Sequence, residues 1–102
     1  IATQIPIGVV GLVFQRSSTF RKWGIELTNK VGVIDALFCG DNDEWLAEVK
    51  NVTGQEVTIK DGDKICQAVF VKLAEVTPEE VLVLGNPDRG GFGTTFDNIV
   101  QK

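Results

Sequence analysis

The sequence predicts an all-β domain built from short strands and tight turns. Many Val, Ile, Thr and Phe residues favour strands, and eleven Gly against three Pro favour turns over long helices. The length of 102 residues allows one small domain and excludes an eight-unit βα barrel or a dinucleotide fold with a second domain. Such a domain buries only about two thirds of its unfolded surface, so we expect a small core.

The strands of the first half follow from the apolar segments. Residues 5–14 are apolar with interspersed glycines, which predicts a buried strand that other segments approach closely. Residues 15–19 form a polar turn, and residues 23–27 predict a short strand. Residues 30–38 are a compact apolar stretch, and residues 45–49 alternate only in part.

The second half contains the clearest local signals. Residues 56–60 alternate as a half-exposed strand does, and Asp-Gly-Asp at 61–63 predicts a turn. Residues 65–73 predict the last long strand. Thr-Pro-Glu-Glu at 77–80 predicts one helical turn with a threonine N-cap. Residues 85–102 are Gly-rich and lack the periodicity of a core element.

Charge and hydropathy exclude several function classes. The formal net charge is −4 and the pI is about 4.7, so we expect no nucleic-acid surface, since such surfaces carry clustered positive charge. No apolar run approaches the roughly 20 residues of a membrane span, and no signal-peptide pattern opens the chain. We therefore expect a soluble cytoplasmic or other intracellular protein, in a host or viral compartment, without membrane contact.

The two cysteines do not form a zinc motif. Cys39 and Cys66 have no neighbouring Cys, and the chain contains no His. A disulfide requires that the fold bring the two together. We expect instead two buried, reduced thiols.

Two polar segments in the first half could support chemistry. Arg16, Ser17 and Ser18 combine a guanidinium, two hydroxyls and turn amides that could bind phosphate oxygens, although a plain surface turn has the same composition. Asp35 closes the apolar segment 29–35. A carboxylate there either caps a turn or does work such as orienting a water molecule.

Two further segments lie in the second half. Residues 60–67 form a charged turn leading into a strand that carries the polar Gln67, and a solvated hairpin is the alternative. In residues 88–95, a ring lies between glycines, an arginine precedes them and two hydroxyls follow them; these groups could contact an anion and a base, whereas a disordered tail is the alternative. This segment is no Walker loop, and residues 41–44 lack calcium-loop spacing.

Taken together, these segments resemble the trimeric dUTPase family. Four of its five motifs occur in order: QRSS at 15–18, NKVGVIDALFCG at 29–40, KDGDKICQ at 60–67 and RGGFGTT at 89–95. The resemblance implies a distorted jelly-roll or β-barrel subunit in a homotrimer, with active sites at subunit interfaces. It implies a core over residues 1–84 and a C-terminal arm over residues 85–102 that closes over the site.

The resemblance also implies the reaction. The family hydrolyses dUTP to dUMP and pyrophosphate with Mg²⁺ bound through the triphosphate and not by protein ligands. This activity limits uracil incorporation into DNA and supplies dUMP. Asp35 would orient the attacking water, and Phe38 would lie under the deoxyribose. The uracil edge would be bound by Asn29 and by the backbone of Gly32, Val33 and Ile34.

The remaining implied roles concern the phosphates and the closing arm. Residues expected to hold phosphates or their waters are Arg16, Ser17, Ser18 and Gln67. Arg89 would reach the terminal phosphate, and Phe92 would cover the uracil. Thr94 and Thr95 would help to close the arm over the triphosphate.

The chain departs from the family pattern in four places. The first motif, an Ala-Gly-x-Asp-Leu-like segment, is not in the chain, and we expect it upstream of Ile1. Phe38 replaces the usual Tyr, Cys39 a usual Arg, and Phe96 the usual Gly after Thr95. Two alternatives follow: a catalytically silent nucleotide-binding or regulatory relative, and a related dCTP deaminase. For the deaminase Glu26 is the nearest acid, although the GVID segment argues against it.

Overall fold

The computed structural model describes residues 1–90, and these form five short strands and one short helix. The elements, in chain order, are β1 Val9–Gln15, α1 Thr19–Trp23, β2 Ile25–Leu27, β3 Gly32–Ile34, β4 Val49–Asn51 and β5 Cys66–Lys72. The helix has five residues. The predicted all-β class is therefore confirmed, and residues 91–102 lie outside the described part of the chain.

The strands form two antiparallel sheets. The larger sheet has the order β3-β1-β5, and β2 pairs with β4 in the smaller one. Val13 of β1 lies opposite Gly32 on one side and Ala68 on the other. Strand β1 is therefore the central strand of this sheet, and β3 and β5 are its edge strands.

The glycines of the first strand have the predicted close contacts. A Cβ atom on Gly11 would lie 3.3 Å from Ile5 Cδ1 and 3.3 Å from Trp45 Cη2. Strand β1 begins at Val9 and not at Ile5, because Gly8 adopts a φ of +88° and the Val9 N–H donates to the Pro6 carbonyl at 3.1 Å. Residues 6–9 thus form a turn that leads into the strand.

The core of the described chain is small. The buried apolar side chains are Ile5, Val10, Ile25 and Leu27. Val69 and Phe70 in β5 are 49% and 57% exposed, although they lie in the longest apolar strand of the second half. A single copy of residues 1–90 therefore leaves much apolar surface uncovered.

Four local predictions are corrected by the structure. Residues 23–27 are shared between the end of α1 and β2, and Gly24 ends the helix with a φ of +65° and an N–H donated to the Phe20 carbonyl at 2.7 Å. Of residues 45–49, only Val49 belongs to a strand. In the part of the chain that is described, residues 56–60 pair with no strand.

The predicted helical turn at residues 77–80 is also absent from the structure. All four of its side chains are exposed. A single turn fixes several backbone dihedrals for one hydrogen bond, so it needs packing that these residues do not have. The turn at 61–63 is confirmed: Gly62 has a φ of +87°, and the Asp63 N–H donates to the Lys60 carbonyl at 3.0 Å.

Candidate functional site

The Arg16–Ser18 turn leaves the C-terminal end of β1 and docks against the chain that leads into β5. The Arg16 N–H lies 3.3 Å from the Ile65 carbonyl, and Arg16 Nη1 donates to the Lys64 carbonyl at 3.2 Å. Within residues 1–90, the hydroxyls of Ser17 and Ser18 form no hydrogen bond. They are free to meet a ligand.

Gln67 lies at the same end of the sheet. It pairs with Phe14 in the β1–β5 register, and its Nε2 donates to the Gln15 carbonyl at 3.4 Å. The side chain is exposed. The structure thus brings together two sequence-predicted groups that are about fifty residues apart, the Arg16–Ser18 turn and Gln67.

Asn29 and the three residues of β3 border one cavity. The loop before β3 contains Lys30 with a φ of +65°, and the Val31 N–H donates to the Asn29 carbonyl at 2.7 Å. The cavity has a volume of about 250 Å³. Its sequence-predicted lining residues are Asn29, Gly32, Val33 and Ile34.

Strand β3 lies at the edge of its sheet, so its outer side has backbone groups without a strand partner in residues 1–90. Gly32 is closely packed on the inner side, since a Cβ there would lie 3.2 Å from Val13 Cβ. A planar ligand edge with alternating donors and acceptors could bind along the outer side as a neighbouring strand does.

Asp35 and Phe38 border a second, open cleft of about 330 Å³ together with Val33, Ile34 and Leu37. Asp35 Oδ1 accepts the Leu37 N–H at 2.9 Å, and the Asp35 carbonyl accepts the Phe38 N–H at 3.3 Å. The carboxylate therefore caps a turn, as one of the two alternatives predicted. Its Oδ2 accepts no hydrogen bond within residues 1–90, and the residue as a whole is exposed.

Asp35 and the Arg16–Ser18 turn lie at opposite ends of β1 in one chain. Ile34 pairs with Gly11, and because β3 runs antiparallel to β1, Asp35 continues towards Val10. At about 3.3 Å per residue, the six steps from Val10 to Arg16 span about 20 Å. One copy of the chain therefore does not bring these two groups together.

Arg89 stands apart from the other candidate residues. Its Nε donates to the Gly90 carbonyl at 3.4 Å, a contact with its own neighbour, and the side chain is exposed. Three candidates, Phe92, Thr94 and Thr95, lie outside the described residues. Glu26 lies in β2, with its Oε1 3.9 Å from Lys30 Nζ.

The two cysteines differ in environment. Both are free thiols, but Cys39 is exposed, so the prediction of two buried thiols was wrong for this residue. Cys66 lines the cavity next to β3 and is partly buried, and this burial raises the pKa of its thiol above the ordinary value of 9.0.

Residues 1–90 bear on metal and membrane binding in two respects. Among these residues, no group of three or more Cys, Asp or Glu side chains is arranged to hold a metal ion. None of the helices in this part is long and apolar enough to cross a membrane.

Thr19, next to the Arg16–Ser18 turn, was not among the sequence-predicted site residues. Thr19 is 1% exposed, and its hydroxyl accepts the Arg16 N–H at 3.0 Å. A hydroxyl three residues after the start of a turn is a known local signal, because serine and threonine side chains often bond to nearby backbone. The sequence therefore contained the signal for this contact.

These features define an all-β protein with exposed polar groups at both ends of a central three-stranded sheet. The family model described as dUTPase matches residues 1–96. The chain belongs to the dUTPase family.

Individual relatives agree with this assignment. The chain is 42% identical over 96 residues to the SPbeta prophage-derived deoxyuridine 5'-triphosphate nucleotidohydrolase YosS of Bacillus subtilis (strain 168), an alignment that covers 93% of this chain and 66% of the relative. It is 40% identical over 97 residues to the deoxyuridine 5'-triphosphate nucleotidohydrolase of Finegoldia magna, with coverage of 93% and 66%. The chain thus spans just under two thirds of the length of these curated relatives.

A solved structure has the same fold. The crystal structure of dUTPase from Streptococcus mutans superposes with a TM-score of 0.69 at 35% sequence identity. The match covers 76% of this chain and 62% of that chain.

Proposed function

We propose that this protein hydrolyses dUTP to dUMP and pyrophosphate, which limits uracil incorporation into DNA and supplies dUMP. The observation that carries the proposal is the pair of ligand-accessible polar sites on one family fold. One is the Asp35 carboxylate beside Phe38, in which only Oδ1 accepts a hydrogen bond within residues 1–90. The other is the Arg16–Ser18 turn beside Gln67. The names of the relatives support dUTP as the substrate.

Asp35 is the proposed catalytic residue. Its Oδ1 is occupied by the Leu37 N–H, which holds the carboxylate plane, while Oδ2 accepts no hydrogen bond within residues 1–90. An ionised carboxylate in this position can orient a water molecule for attack on the α-phosphorus and accept its proton. Phosphoryl transfer depends mainly on positioning and charge stabilisation, so the reaction requires no covalent nucleophile from the protein.

The base and sugar would bind beside β3. Asn29 and the outer backbone edge of Gly32, Val33 and Ile34 supply alternating donors and acceptors for a pyrimidine edge. Phe38, 38% exposed, would pack its ring against the deoxyribose. An apolar ring beside the sugar provides no partner for a 2′-hydroxyl, which would disfavour a ribonucleotide.

The phosphates would bind at the other polar group. Arg16, the hydroxyls of Ser17 and Ser18, and the Gln67 amide are donors suited to phosphate oxygens or their bound waters. Mg²⁺ would be carried by the triphosphate with several waters retained, since this cation commonly binds substrate phosphates in this way. When bound, such a cation neutralises charge on the triphosphate oxygens.

We further propose that each active site combines residues from different copies in a homotrimer. The separation of about 20 Å between Asp35 and Arg16 along β1 supports this arrangement, because one triphosphate must meet both. The exposed apolar residues of β5 would then have a partner surface. Residues 1–84 would form the core, and residues 85–102 an arm whose Arg89, Phe92, Thr94 and Thr95 close over the nucleotide.

The first test is Mg²⁺-dependent pyrophosphate release from dUTP, with dCTP, dTTP and UTP measured in parallel. Release from dUTP alone is expected. Ammonia release from dCTP would instead identify a deaminase. Binding of dUTP by calorimetry without any pyrophosphate release would identify a silent relative.

Mixing two inactive variants tests the shared site. Asp35→Asn and Arg16→Ala chains should each be inactive alone, yet regain activity when unfolded and refolded together. In mixed trimers, some sites receive Asp35 from one copy and Arg16 from another. If both residues of a site came from one copy, mixing would restore nothing.

A further inference from the structure

We propose that Thr19 is a positioning residue that holds the Arg16–Ser18 turn in the orientation that binds phosphate. This inference rests on the proposed function. Thr19 is the buried polar residue of the described chain, at 1% exposure, and it lines neither the cavity beside Asn29 nor the cleft beside Asp35. Its role is therefore to act through the turn that precedes it.

The Thr19 hydroxyl makes two hydrogen bonds of opposite direction. It donates to the Ile65 carbonyl at 2.7 Å and accepts the Arg16 N–H at 3.0 Å. The Arg16 N–H also faces the Ile65 carbonyl at 3.3 Å. These three groups form a closed triangle between the phosphate turn and the segment entering β5.

The triangle also sets the distance between the two phosphate-binding groups. Ile65 lies two residues before Gln67, and Arg16 begins the turn that carries Ser17 and Ser18. The two serine hydroxyls have no hydrogen bond of their own within residues 1–90, so backbone anchoring decides where they point. A displacement near 1 Å in such a turn can lower the rate by about a hundredfold.

The hydroxyl can be separated from the volume of the side chain. Thr19→Val keeps the shape but removes the hydroxyl that donates to the Ile65 carbonyl and accepts the Arg16 N–H, whereas Thr19→Ser keeps both hydrogen bonds. Thr28→Val is the matched control, because Thr28 is an exposed threonine whose hydroxyl bonds only to Glu48.

The experiment compares ligand affinities by calorimetry for the wild-type chain and the three variants. The probes are inorganic tripolyphosphate, deoxyuridine and, in an Asp35→Asn background, dUTP. We expect Thr19→Val to weaken the binding of tripolyphosphate and of dUTP about tenfold or more, while the affinity for deoxyuridine is unchanged. Thr19→Ser and Thr28→Val should remain near the wild type, and circular dichroism confirms that each variant is folded.

The outcomes separate this inference from the proposed function. Three results would overturn the positioning role. Thr19→Val could bind tripolyphosphate as tightly as the wild type, or it could lose as much affinity for deoxyuridine as for tripolyphosphate. Thr19→Ser could also lose as much tripolyphosphate affinity as Thr19→Val. If the wild type binds tripolyphosphate in a Thr19-dependent way but does not hydrolyse dUTP, only the proposed function fails. A wild type that binds no tripolyphosphate overturns the positioning role, while pyrophosphate release from dUTP still decides the proposed function.

Discussion

The Gln15 side chain joins the two sheets: its Oε1 accepts the Leu27 backbone N–H at 3.1 Å. Gln15 ends β1, and Leu27 is a buried residue of β2. The same Gln15 accepts Gln67 Nε2 at its backbone carbonyl. One residue therefore links the small sheet to the proposed phosphate-binding end of the large sheet.

We expect Gln15→Leu to lower the free energy of unfolding by about 1–3 kcal/mol, because the buried Leu27 N–H loses its acceptor. Urea denaturation measures the change. Gln55→Leu is the control, because the Gln55 side chain is exposed and only its backbone takes part in hydrogen bonds. Equal stability of the Gln15 variant and wild type would contradict the sheet-joining role.

We expect Gly24→Ala to destabilise the fold more than Gly54→Ala. Both glycines have positive φ, +65° and +73°, so alanine strains the backbone at each by about 1 kcal/mol or more. At Gly24 an added Cβ would also collide with the Thr53 methyl group, whereas it meets nothing near Gly54. Thermal melts of the two variants measure the difference, and equal melting temperatures would exclude the collision.

We expect Asp35→Asn to lower kcat for dUTP by about a hundredfold to ten thousandfold, while dUTP affinity changes little. An asparagine Oδ1 can still accept the Leu37 N–H, so the turn is preserved. Steady-state kinetics with calorimetry measures both quantities. Asp61→Asn, in the exposed turn before β5, should retain full activity, and an active Asp35→Asn enzyme would exclude Asp35 as the catalytic residue.

We expect iodoacetamide to modify Cys39 before Cys66 at pH 8. Cys39 is exposed, whereas burial raises the pKa of Cys66 and so lowers its reactive thiolate fraction. Mass spectrometry of quenched samples measures the order, and labelling in urea is the control that should remove the difference.

The same pKa shift predicts a dependence of stability on pH. Near and just above the ordinary thiol pKa of 9.0, Cys66 is more ionised in the unfolded chain than in the folded one, because burial raises its pKa in the folded chain. Stability therefore falls as the pH rises through and beyond this value. Urea denaturation at pH 8 to pH 10 measures the free energy of unfolding. This free energy should decline less with rising pH for Cys66→Ala than for the wild type.

We expect removal of residues 89–102 to lower kcat/KM for dUTP by about a hundredfold or more, since Arg89 is a proposed hydrogen-bond donor to the terminal phosphate. The fold should survive, because Arg89 is exposed and bonds only to Gly90 within the described residues. Steady-state kinetics measures kcat/KM, and light scattering measures whether the shortened chain still assembles. Loss of folding or assembly would instead make this segment structural.

Sequence reasoning succeeded where a few neighbouring residues decide the backbone. The Asp-Gly-Asp turn forms because glycine adopts positive φ and an aspartate side chain caps the turn, with Lys60 N–H donating to Asp63 Oδ2 at 2.8 Å. The strand predicted at 65–73 is β5, Cys66–Lys72. The predictions at 56–60 and 77–80 failed because a strand needs a neighbour and a single helical turn needs packing.

The sequence by itself determined the all-β class, the order of the polar motifs and, through them, the family, because composition and spacing are properties of the linear chain. Only the tertiary structure decided that Thr19 ties Arg16 to Ile65, and that Asp35 lies about 20 Å along β1 from Arg16. Both depend on strand register, which sets the contacts between residues far apart in the chain.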